Sequence, residues 1–199
     1  MSGCCTGLVP TDGPERNLRL TALTGAFLLV LLALESFTLI SLRSMLSLHI
    51  FVGVLVVPVV LLKLGSTGYR FFRYYTHRPD YVRAGPPPLL LRLLGPIVVL
   101  STLVLLGTGL ALIAIGPGGG FVLLLHKASF VVWVGALGAH VLGHLQRVQR
   151  ALRADLSDRD GRGRLGLLLV AAAVVVGAIA AVALLPESAP WLHWFGSEH

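Results

Sequence analysis

The sequence predicts an all-α integral membrane protein of five transmembrane helices, four of them paired as two hairpins into a bundle and the fifth peripheral. Three observations carry that prediction. With 55% hydrophobic and 13% charged residues among 199, and a mean hydropathy of +0.84, the chain is too apolar for an ordinary soluble core. Its apolar residues gather into five runs, each long enough to cross a hydrocarbon layer about 30 Å thick. Its basic residues are almost all confined to alternate connections between those runs.

Residues 1–19 form a polar tail, and its adjacent Cys4 and Cys5 can neither close a loop nor build a metal site alone. The first run, Leu20–Ser41, is longer than a signal-peptide core and lacks a small-residue cleavage site after it, so it reads as a span. A very short connection at Arg43 leads to the second run, Leu46–Leu64, in which Pro58 is expected to introduce a kink. The next connection carries Arg70, Arg73, Arg78 and Arg83, with Lys63 and Arg92 at its edges. Pro86-Pro87-Pro88 stiffens the approach to the third run, Leu89–Ile115, which Gly95-Pro96 should bend. Gly116-Pro117-Gly118-Gly119-Gly120 is a breaker-rich turn into the fourth run, Phe121–Leu142. Residues 20–150 thus form the predicted four-helix bundle, followed by a basic connection over 151–164.

The fifth run, Leu165–Leu185, contains only Ala, Val, Leu, Gly and Ile. It offers nothing to a polar ligand and is expected to face lipid, with Gly166 and Gly177 as packing points. Residues 186–199 close the chain with Pro190-Trp191-Leu192-His193-Trp194-Phe195, which reads as an aromatic interfacial anchor.

Of sixteen Lys and Arg residues, only Arg43 and Lys127 fall on the side opposite the basic connections. The positive-inside rule therefore puts the N-terminus in the cytoplasm and the C-terminus outside a bacterial inner membrane. The net charge of +7 then reports topology and contact with lipid headgroups rather than nucleic-acid binding. No P-loop, dinucleotide fingerprint, serine elbow, carboxylate pair or cysteine cluster is present.

Chemistry is carried by ionisable residues inside the spans, which are costly there and need partners. The second and fourth spans run in the same direction, and the phrase Leu46-Ser47-Leu48-His49 is echoed by Leu123-Leu124-Leu125-His126. His49 and His126 therefore stand at one depth, each within about two turns of the outer end. Two neutral imidazoles facing one another at equal depth are what bis-histidine haem ligation needs. Gly53, one turn below His49, makes room beside it, as Gly135 and Gly138 do on the fourth span. His140 follows His126 by fourteen residues, about 21 Å of rise and about 40° of rotation, so it points into the same interior from the other leaflet. His144 lies at the cytoplasmic boundary. The position fourteen residues after His49 is Lys63, so a second bis-histidine site is incomplete, and Lys63 reads as a snorkelling or charge-pairing cation. Glu35, the acidic residue of the first span, lies near the depth of His49 and can accept its ring N–H. Trp133 reads as core packing, and His77 and His193 as exposed.

These residues resemble the transmembrane b-type cytochromes of four-helix-bundle type, such as cytochrome b subunits of membrane hydrogenases and formate dehydrogenases and ferric-reductase-like membrane domains. The resemblance covers about Leu20 to Arg150. It implies haem b, one group through His49 and His126 and a second with His140 or His144 as a candidate ligand. It also implies electron transfer between a quinone or other donor and a partner subunit, rather than a stand-alone enzyme. Arg70 and Arg73 become candidates to pair with a haem propionate, a quinone oxygen or a phosphate-bearing partner. The competing expectation is a cofactor-free membrane scaffold or small transporter whose histidines only hydrogen-bond between helices.

Overall fold

The computed structural model describes residues 12–83, 89–157 and 164–197, without the side chains of residues 12–16, 83–92, 144–163 and 197. Cys4, Cys5, Pro86-Pro87-Pro88 and residues 158–163 of the basic connection lie outside the described residues, as do the side chains of His144 and of residues 151–157. Seven α-helices follow one another: α1 (Asp12–Thr38), α2 (Leu42–Tyr75), the short α3 (Pro79–Arg83), α4 (Leu89–Ile115), α5 (Gly120–Ser157), α6 (Arg164–Leu184) and α7 (Ala189–Ser197). Two 3-10 turns, Leu39–Ser41 and Leu185–Ser188, complete the described elements.

Four stretches are long and apolar enough to cross a membrane: Asn17–Tyr75, Leu93–Ile115, Gly120–Gly143 and Arg164–Gly196. Large apolar side chains on their outer faces are bare, Val131 at 71% and Leu142 at 73% exposure among them. Such a surface suits a multi-pass membrane protein. The first stretch is 59 residues long and would extend about 88 Å as one straight helix. It is folded back on itself instead. The reversal uses the 3-10 turn, Ser41 at φ −139°, ψ 61°, and Met45 at φ −111°, ψ 16°. Met45, rather than Pro58, is the residue of α2 whose backbone leaves helical geometry.

Glu35 meets His49 and Thr21 meets Lys63, fourteen residues apart along both helices. α1 and α2 therefore stay in antiparallel register for about 21 Å. The second hairpin, α4–α5, is joined by Thr108 to His126 near the turn and by Trp133 to Thr102 further down. At the turn, Gly116 takes φ +74°, a left-handed conformation that glycine adopts without strain.

The expectation of a merely peripheral fifth helix needs correction. α6 packs along α2 as closely as α1 does, and Ala173 and Val174 join a core of Leu28, Leu31, Val52, Val56, Val59 and Val60. A Cβ at Gly177 would lie 2.5 Å from the Leu55 carbonyl oxygen, and one at Gly166 would lie 3.3 Å from Leu23. The two helix backbones are in direct contact at Gly177, the close approach that small residues permit in lipid. α1, α2 and α6 thus form one packed unit, which the α4–α5 hairpin touches only sparsely. The two histidines meet across this sparse contact between the hairpins.

A paired-histidine site between the hairpins

His49 and His126 bring their ring centres to 6.5 Å, with ring planes at 81°. Each ring is held from behind by the preceding helix of its own hairpin. His49 Nδ1 lies 3.0 Å from Thr38 Oγ1 and 2.9 Å from Glu35 Oε1. His126 Nδ1 lies 3.0 Å from Thr108 Oγ1 and 3.1 Å from the Leu105 carbonyl oxygen.

These contacts fix the proton positions. A carbonyl oxygen only accepts, so His126 Nδ1 must carry a hydrogen. The threonines agree with that assignment, because a hydroxyl has one proton to give. Thr38 gives it to the Glu35 carbonyl, and Thr108 to the Val104 and Leu105 carbonyls. Each Oγ1 is then left to accept from Nδ1–H. Nδ1 therefore donates in both rings, which leaves Nε2, on the opposite edge, as the second ring nitrogen of each.

Glycines shape this arrangement. A Cβ at Gly109 would lie 3.2 Å from His126 Cε1, so only a bare backbone lets that ring lie against α4. A Cβ at Gly53 would lie 3.3 Å from Glu35 Oε1. The room expected at Gly53 is thus filled by the Glu35 carboxyl rather than left for a cofactor. Gly135 and Gly138 face open, exposed surface and do not line the histidine pair.

Above the pair, toward the hairpin turns, α7 folds over the end of the bundle. Trp191 is 6% exposed and packs on Leu46 and Leu112, and its indole N–H donates to the Leu112 carbonyl at 2.9 Å. Arg43 donates to the Phe195 carbonyl and ties α7 to the start of α2. The expected interfacial anchor is therefore a cap seated one turn above the histidines, with His193 on its exposed face.

Below the pair, Trp133 donates to Thr102 Oγ1 at 2.9 Å and stacks near Phe130. At the next level Lys63 donates to the Thr21 carbonyl, and a Cβ at Gly25 would lie 3.0 Å from its Nζ. Lys63 and His140 are near enough to interact electrostatically. Arg70 and Arg73 stand apart, twenty-one and twenty-four residues along α2 from His49, which is more than 30 Å away by helical rise.

Thr38, Thr108, Leu105 and Gly109 were not read from the sequence. A signal existed, since Glu35-x-x-Thr38 before His49 and Leu105-x-x-Thr108 before His126 place a threonine three residues after the second acceptor in both hairpins. Among the described residues no three His, Cys, Asp or Glu side chains converge as a metal site. The fold and site together define a helical protein with an apolar exterior that brings two imidazoles together across the seam of two hairpins. No family model, curated protein or solved structure matches the chain.

Proposed function

We propose that the chain is a membrane b-type cytochrome, an electron-transfer subunit in which His49 and His126 would hold one haem b. The observation that carries this reading is the 6.5 Å separation of the two rings, with both Nδ1 atoms tied back. A metal–imidazole bond is about 2.0 Å and a ring nitrogen lies about 1.1 Å from its ring centre. Two imidazoles on opposite sides of one metal therefore place their centres about 6.2 Å apart.

Two imidazoles without a third protein ligand suit a metal whose remaining positions are filled by a tetrapyrrole. The haem would supply one-electron transfer. The chain's own residues hold the two rings in the ligating tautomer through Thr38 and Thr108, place a carboxyl behind one ring through Glu35, and exclude water from one end through Trp191. At the second level Lys63, where a histidine would be needed, is engaged by the Thr21 carbonyl, so one haem is assigned. In this reading the chain crosses the inner membrane five times. The hairpin turns and α7 lie outside, the arginine-rich end lies in the cytoplasm, and electrons pass between a quinone or redox donor and a partner protein.

The cofactor-free scaffold reading has one observation in its favour, since an edge-to-face aromatic pair adopts similar separations. The absorption spectrum of the dithionite-reduced full-length protein, purified from haem-replete cells, separates the two. The cytochrome reading expects a low-spin haem spectrum that is lost in both His49→Ala and His126→Ala. A colourless wild-type protein would overturn it.

A further inference from the structure

At the arginine-rich end, α1, α2 and α3 meet around Arg73. Its guanidinium carbon lies 5.5 Å from the centre of the Tyr69 ring and 5.7 Å from that of Tyr81. The two rings meet edge to face at 6.2 Å. Tyr81 is buried at 6% exposure although it belongs to the short helix in the basic connection, and Asn17 of α1 sits beside it. One N–H donor of the cluster, Arg73 Nε, is buried without a hydrogen-bond partner. Native proteins leave few such donors unsatisfied, and a guanidinium donor is among the costliest to leave so. No described carboxylate pairs with Arg73, and Asp80 on α3 is exposed.

We propose that this cluster binds one phosphate group of an anionic phospholipid, gripped by the Arg73 guanidinium between the rings of Tyr69 and Tyr81. The planar guanidinium fork matches two phosphate oxygens, and the flanking tyrosine rings hold its plane in place. Burial pushes the Tyr81 phenol above its ordinary pKa, and neighbouring Tyr69 adds to the effect, so its O–H remains a donor. Arg70, on the same helix, adds positive potential, which favours an anionic headgroup over a zwitterionic one. The exposed rings of Tyr69, Phe71, Phe72 and Tyr75 are the amphipathic belt of a membrane boundary, which sets the cluster at headgroup depth. This inference needs the bilayer but not the haem, so the two readings fail separately.

The test uses the full chain in nanodiscs of phosphatidylcholine and phosphatidylglycerol in equal proportion, followed by native mass spectrometry after transfer to detergent. Wild-type protein should retain one phosphatidylglycerol. Arg73→Gln should lower that retention about tenfold, and Arg73→Lys, which keeps the charge without the fork, should fall between the two. Arg78→Gln, an equal loss of charge at an exposed position, should leave retention unchanged. Helical circular dichroism equal to wild type identifies variants that have lost the site and not the fold. Equal losses in Arg73→Gln and Arg78→Gln would overturn the proposal by showing diffuse attraction. Displacement of the lipid by inorganic phosphate alone would overturn the lipid as the source of the phosphate.

Discussion

The two hairpins orient a histidine by the same device and surround it differently. In both, a threonine spends its proton on a backbone carbonyl and so forces Nδ1 of the ring to donate. Behind His49 the second acceptor is the Glu35 carboxyl, whereas behind His126 it is the neutral Leu105 carbonyl. The tautomer is thus set by one residue and the charge by another. The supports differ as well, because α6 buttresses the first hairpin along its length and α7 caps the end that the second hairpin shares. A site built this way can tune one ring without disturbing the geometry of the other.

The largest expected effect tests the cap. Trp191→Ala should destabilise the protein by about 3–5 kcal/mol, read as a lowered thermal midpoint in detergent, because it empties the contact with Leu46 and Leu112 and removes the indole hydrogen bond to the Leu112 carbonyl. An unchanged midpoint would mean that α7 does not hold the second hairpin. Gly177→Ala should cost about 1–3 kcal/mol, since its Cβ would meet the Leu55 backbone. Limited proteolysis should then release α6 while α4–α5 stays protected. Thr38→Val and Thr108→Val should each cost about 1 kcal/mol, and a clear inequality between them would break the claim that the two hairpins use one device. The smallest structural change, Glu35→Gln, keeps an acceptor oxygen and removes the charge. It should raise the midpoint potential of the bound centre by about 60 mV, a tenfold change for one electron. No shift would show that the carboxyl behind His49 leaves the centre untuned.

The helical class, the apolar runs and both hairpins could be read from composition and turn residues, because lipid punishes polar backbone and concentrates charge in connections. The common depth of His49 and His126 was legible too, since counting along two parallel helices requires only the helical rise. The threonines were not. A threonine in a span satisfies itself on its own backbone, so its sequence gives no sign of a second partner. The same limit explains Gly53, whose space could be assigned but whose occupant, Glu35, depends on the rotation of α1 against α2. For α6, the lack of polar residues was taken to mean exposure to lipid, yet packing in lipid is driven by small residues, and Gly177 was the signal that outweighed it. The Tyr81 cluster was hidden because it joins residues from three helices across the turn at Thr76–Arg78.

The claim on which the account rests is that one iron sits between His49 and His126. Electron paramagnetic resonance of the oxidised, full-length protein tests it most directly. Wild type should show a low-spin ferric signal. In His126→Ala that signal should become high-spin or disappear, and added imidazole should restore low spin. A high-spin wild-type signal, or a low-spin signal that survives in His126→Ala, would contradict the account.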